Sequence, residues 1–142
     1  MSNVYIVYWS GTGNTETMAN LIAEGVQQAG GQAEVTAVSD ADRAKIESSS
    51  VIAFGCPAMG DEVLEESEFE PFFTEIESGL KDKNVALFGS YGWGDGAWMR
   101  EWQDRVQAVG ARLADDGLIV QSTPDADGET QCRELGKSLA SL

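Results

Sequence analysis

Apolar residues along this chain alternate between two periods, and the alternation repeats five times. Asn3 to Trp9 is a continuous apolar, β-branched and aromatic run, which predicts a strand buried on both faces. Met18, Ile22, Val26 and Ala29 then recur at helical spacing, and Gly30-Gly31 supplies a helix stop. Ala33 to Val38 reads as a short strand and Asp40 to Ile46 as a weak helix. Val51 to Gly55 is a second fully apolar strand, and Cys56 to Ser67, with Pro57 and Gly60, reads as a loop. Phe69, Phe72, Phe73 and Ile76 mark one face of a helix, and Val85 to Gly89 is a strand. Ser90 to Gly96 forms a glycine-rich loop. Trp98, Trp102, Val106, Val109 and Leu113 follow an amphipathic helical pattern. Leu118 to Val120 is the core of a last strand, and Cys132, Leu135 and Leu139 share a face of the final helix.

Strands that alternate with helices predict an α/β fold: one doubly wound, five-stranded parallel sheet with helices on both faces. Crossovers in such sheets are right-handed. No internal repeat, linker or composition break interrupts the pattern, so residues 1–142 read as a single domain. Open sheets of this kind bind ligands at the carboxyl ends of their strands. That rule directs attention to the segments 10–15, 56–62 and 90–96, each of which follows a strand.

Ser10-Gly11-Thr12-Gly13-Asn14-Thr15 joins a strand to a helix. Its glycines allow close backbone approach, its side chains donate hydrogen bonds, and the helix start adds free N–H groups. The combination suits an anion, a phosphate above all. The plainer alternative is a strand–helix turn with Asn14 or Thr12 as cap. No Lys or Arg precedes Arg43, so the lysine of a nucleotide-hydrolysing phosphate loop is absent. The third glycine of a dinucleotide fingerprint is also missing, since Glu16 stands there. The acidic strand end of a response-regulator receiver is replaced by Tyr8, Trp9 and Ser10. In the other two loops, Met59 and Trp93 are large apolar side chains beside glycines, suited to sandwich a flat aromatic ring.

These three motifs, in this order along a chain of five strand–helix units, resemble the short-chain, clostridial-type flavodoxins. The resemblance covers essentially the whole chain. It implies a flavodoxin-like sheet of strand order 2-1-3-4-5, with FMN at the switch point between the first and third strands. It further implies that Ser10, Thr12 and Thr15, with the backbone of Gly11, Gly13 and Asn14, hold the phosphate. Ala58, Met59, Gly60, Asp61 and Glu62 would form one ring loop. Met59 would cover one ring face, the Gly60 carbonyl would face N5, and Glu62 would accept from N3. Ser90, Tyr91, Gly92, Trp93 and Asp95 would form the other loop, with Trp93 on the second ring face. Ser122 would stand where relatives often carry a side-chain amide. The implied role is that of a low-potential one-electron carrier cycling mainly between semiquinone and hydroquinone. Two other readings remain: a flavin-dependent quinone reductase of the same fold, and a non-redox binding module.

Charge refines this picture. The chain of 142 residues carries 24 Asp plus Glu against 9 Lys plus Arg, a formal net charge of -15. Nine of the acidic residues, and no Lys or Arg, fall within residues 46–80. This field disfavours nucleic acid and anionic membranes and favours basic redox partners that meet a monomer. Histidine is absent, and Cys56 and Cys132 form no CxxC pair, which argues against a transition-metal site and histidine-based catalysis. The start of the chain lacks the basic and apolar regions of a secretory signal, so a cytoplasmic location with reduced thiols is expected.

Overall fold

The computed structural model describes residues 2–142. The first strand, β1 (Asn3–Tyr8), sends Val4 and Ile6 to one face and Tyr5 and Val7 to the other, and all four are buried. This period of two explains the unbroken apolar run: both faces of the sheet are covered. β2 (Gln32–Ala37) and β3 (Val51–Gly55) flank β1, and β4 (Asn84–Tyr91) lies beside β3, all parallel. The strand order is β2-β1-β3-β4-β5, as the family resemblance implies.

The fifth position is shared by two short strands. β5 (Arg112–Leu113) pairs with Asn84 and Val85, and β6 (Leu118–Gln121) pairs with Phe88 to Tyr91. Because β3 already occupies the other edge of β4 over Asn84–Phe88, β5 and β6 lie end to end along the same edge.

α1 (Asn14–Gln28) and α5 (Ala126–Ala140) cover one face, where Met18, Ile22, Val26, Cys132 and Leu139 pack on Val4, Ile6, Ala53 and Phe88. The two helices approach almost backbone to backbone. A Cβ on Gly25 would lie 2.0 Å from the Arg133 carbonyl oxygen, and one on Gly136 would lie 2.0 Å from that of Ile22. The other face is covered by α2 (Arg43–Ser48), α3 (Phe69–Ile76) and α4 (Ala97–Ala108). There Phe69 and Phe73 each pack edge to face on Trp102.

Three details depart from the sequence reading. The pattern through Val109 and Leu113 does not continue α4: the helix ends at Ala108, Gly110 turns the chain at φ 89°, and Leu113 belongs to β5. Ser90 and Tyr91 are strand rather than loop, because pairing with Val120 and Gln121 extends β4 past its apolar stretch. The Asp40–Ile46 helix is two pieces. A single helical turn spans Val38–Asp40, and α2 restarts where the Asp42 side chain accepts the Ala44 amide at 2.9 Å.

Candidate functional site

The carboxyl ends of β1, β3 and β4 open onto a cavity of about 260 Å³. Its base is the turn from β1 into α1. Gly13 is the N-cap residue of α1, at φ 98°, and no side chain caps the helix. Asn14 and Thr12 therefore do not play the capping part that a plain turn would give them. The Gly13 amide donates to Ser10 Oγ at 3.0 Å, which curls the loop around itself. The first-turn amides that follow have no intrahelical acceptor and carry the positive end of the helix dipole. Gly11 is glycine for a different reason, since a Cβ there would lie 3.1 Å from the Trp9 ring.

Thr15 is buried, and its hydroxyl accepts the Ser90 amide at 3.3 Å, which links α1 to β4. Its proton remains available to a further acceptor. The Ser90 hydroxyl donates to the Ser122 carbonyl at 2.8 Å, and the Ser122 amide donates to Tyr91 O at 2.8 Å. Ser122 itself sits at φ 57°, a conformation that bends the chain from β6 over the cavity. Asn14 Oδ1 accepts the Thr123 hydroxyl at 3.0 Å and closes the base.

The second wall follows β3. The Ala58 amide donates to Ser90 O at 3.1 Å and prolongs the ladder beyond Gly55. Met59 to Glu62 then form a tight turn in which the Glu62 amide donates to Met59 O at 2.8 Å and the Met59 amide to Val63 O at 2.9 Å. Glu62 lies at φ 55°, while Gly60 and Asp61 do not have positive φ. A Cβ on Gly60 would meet nothing within 4 Å, so the turn in this form does not itself require glycine.

The cavity brings together eleven of the residues expected from the sequence: Ser10, Gly11, Thr12, Asn14, Thr15, Ala58, Met59, Ser90, Tyr91, Gly92 and Ser122. It adds Trp9 and Pro57, which the sequence reading did not select. Trp9 directly follows β1 and Pro57 lies two residues past β3, and that position was the available signal. Gly13 stands behind the base as the helix cap. Asp61, Glu62, Trp93 and Asp95 lie outside it, along a neighbouring groove of about 530 Å³, and Trp93 is 66% exposed. Gly60 is exposed at the turn between the two.

No charged side chain lines the cavity. Two carboxylates near it, Glu62 and Glu65, are held by backbone amides. Glu62 accepts backbone amides ahead of and within α4, from Asp95 at 2.9 Å, Gly96 at 3.4 Å and Ala97 at 3.1 Å. Glu65, 5% exposed, accepts Ser67, Glu68 and Phe69 amides at 2.8, 2.7 and 2.9 Å. Burial alone would raise the Glu65 carboxyl, but these bonds and the Ser67 hydroxyl outweigh it and hold it below the usual range. Burial pushes the Cys56 thiol up to about 12, so it is not a ready nucleophile. The Tyr8 hydroxyl, donating to Glu16 at 2.7 Å, is pushed up to about 12 by that bond first and by burial second. Both cysteines are free and buried, and no cluster of metal-ligating side chains occurs among the described residues.

Comparison with known proteins gives a consistent result. The family model described as flavodoxin matches residues 6–136. A flavodoxin of Clostridium beijerinckii is 51% identical over 137 residues, covering 96% of this chain and 99% of that protein. One of Megasphaera elsdenii is 49% identical over 137 residues, covering 96% and 98%. The solution structure of two-electron reduced Megasphaera elsdenii flavodoxin matches with a TM-score of 0.89 at 47% identity, over 98% of this chain and 99% of that one.

Proposed function

The chain belongs to the flavodoxin family, and from that premise we propose that it holds one FMN non-covalently in the cavity at the ends of β1, β3 and β4 and carries single electrons between redox proteins. It is an electron-transfer flavoprotein rather than an enzyme. We read residues 1–142 as one domain of this kind.

The observation that carries the assignment is the uncapped start of α1 at the base of a cavity with no charged lining. A phosphate fits there because unpaired helix amides and the Ser10, Thr12 and Thr15 hydroxyls are neutral donors aimed at an anion. Bound FMN supplies the one-electron chemistry that no side chain of this protein possesses. Met59, on the cavity wall, and Trp93, on the adjoining loop, would cover the two faces of the ring and limit water at it. Glu62 Oε2 accepts only the Ala97 amide, which leaves it acceptor capacity for the N3–H of the ring. The Gly60 carbonyl would be placed to accept a hydrogen bond from a protonated N5 with the Gly60–Asp61 peptide rotated.

Its role implies redox partners, and the net charge of -15 selects basic ones. The same field opposes nucleic acid and anionic lipid, and no helix among the described residues is long and apolar enough to cross a membrane. A monomer working in the cytoplasm completes the proposal.

The test is the visible spectrum of the purified protein during stepwise anaerobic reduction with dithionite. A yellow protein that passes through a long-wavelength blue species supports the reading. Direct passage to the two-electron state favours a quinone reductase, and a protein colourless even with added FMN refutes the cofactor.

A further inference from the structure

The Glu62 side chain hydrogen-bonds across to the opposite loop. Its two oxygens sit in the bend made by Gly94, Asp95 and Gly96, where Gly94 and Gly96 take φ of 93° and 91° and turn successive amides inward. The third amide, from Ala97, is the first of α4, which has no side-chain cap of its own from its N-cap residue Gly96. Contact is close on the other side as well: a Cβ on Gly94 would fall 1.7 Å from Glu62 Oε1. The loop that carries Trp93 is otherwise exposed from Gly92 to Asp95.

We propose that the Glu62 carboxylate is a clasp that fixes the Trp93 loop to the Met59 turn, and so sets the spacing of the two ring-facing walls before any ring enters. Glu62 is thus a positioning residue acting through Trp93, in addition to any bond it offers the ring. The backbone around it fits the same purpose. The turn is held at Met59 N and Glu62 N, so with the carboxylate also anchored, the Gly60–Asp61 peptide is the part left free to rotate. The consequence for the flavin rests on the function proposed above, whereas the clasp exists in the flavin-free chain and is tested there.

The experiment is amide hydrogen exchange by NMR on the flavin-free full chain, comparing wild type with Glu62→Ala, Glu62→Gln and Gly94→Ala. Loss of a hydrogen bond to a charged acceptor raises exchange about tenfold or more, so Asp95 and Ala97 amides should lose that much protection in Glu62→Ala. The β1, β3 and β4 amides should keep theirs, and the Trp93 indole resonance should move toward its solvent position. Glu62→Gln, which keeps one acceptor oxygen, should restore part of the protection. Gly94→Ala should reproduce the loss, and should cost less when Glu62→Ala is already present, because the clash is then gone. Unchanged Asp95 and Ala97 protection in Glu62→Ala, or strictly additive effects of the two substitutions, would overturn the clasp. A colourless protein with an intact clasp would refute the cofactor assignment alone.

Discussion

Replacing Glu65 by alanine should destabilise the protein by about 2–3 kcal/mol although the residue never faces the cavity. Glu65 does for α3 what Glu62 does for α4. The N-cap residue Glu68 offers the helix no side-chain capping bond, and the buried Glu65 carboxylate reaches forward to three amides instead. Loss of a helix cap costs about 1 kcal/mol. Water can replace the carboxylate at Ser67 and Glu68, which are exposed, but not at Phe69, which is fully buried. One stranded buried donor adds about 1–2 kcal/mol. Glu65→Gln, which keeps one oxygen, should lose about half as much. The assay is urea unfolding of the flavin-free chain at neutral pH, with the slope checked for constancy. For a domain of this size the alanine variant should also melt roughly 6–10 °C lower. Acid supplies an independent check. The folded carboxyl is held below its ordinary value of 4.5 by the hydrogen bonds that outweigh burial. Its contribution is therefore complete above the unfolded value and fades as pH falls through the folded one. The gap between wild type and Glu65→Gln should be flat near neutrality and close in acid. A destabilisation under about 0.5 kcal/mol in Glu65→Ala, or a gap that closes as pH rises, would refute the reasoning.

Neutralising the two exposed carboxylates beside the turn, with Asp61→Asn and Glu66→Gln together, should raise the second one-electron potential by about 35 mV per charge, taking ~10 Å and an effective dielectric of ~40. Potentiometric titration at low salt reads this directly, and a value unmoved within error assigns the low potential to desolvation. Gly60→Ala should lower the first potential by about 40 mV, because rotating the Gly60–Asp61 peptide swings ψ of Gly60, and a Cβ there removes backbone freedom worth roughly 1 kcal/mol. The yield of the blue species during reduction should fall with it, and an unchanged yield removes that rotation from the mechanism. Gly25→Ala should destabilise the protein by about 1–2 kcal/mol despite the better helix propensity of alanine, since the Arg133 carbonyl stands where the methyl must go. Thermal unfolding checks it, and a neutral or stabilised variant contradicts the close crossing of α1 and α5.

Local pattern carries information about faces. Met18, Ile22 and Val26 lie on one helix face because only that spacing buries them together, and all three are buried. Leu113 shows the limit. It falls on the spacing of α4 and packs against the same core, yet it arrives there from a strand, and only the positive φ of Gly110 separates the two solutions. Gly25 and Gly136 were silent in the sequence for another reason. Each is a weak helix former inside a helix, and its purpose lies in a neighbour more than a hundred residues away. At the site, the phosphate loop was legible because a strand, a turn and a helix start are contiguous there. Trp9 and Pro57 were missed because nothing but their place at a strand end marks them. The anchoring of Glu62 and Glu65 was not legible, since a sequence shows a carboxylate but not which amides face it.

That last distinction changes how the acidic segment works. Nine acidic side chains between residues 46 and 80 invite a sum of repulsions against a reduced ring. The structure divides them. Arg105 binds Glu70 and Glu77, at 2.6 and 2.8 Å, and stacks 5.1 Å above the Phe73 ring, which ties α3 to α4. Glu75 pairs with Arg43, and Glu68 accepts the Trp9 indole at 3.3 Å. Glu62 and Glu65 are held by backbone amides whose dipoles offset much of their field. Near the turn, Asp61 and Glu66 remain as exposed carboxylates whose charge is offset mainly by solvent. A low second potential therefore rests less on accumulated carboxylates than on a cavity that offers an anion neutral donors and no cation. Glu62 and Glu65 are anchored to the starts of α4 and α3, so substituting them should change local geometry as much as the field.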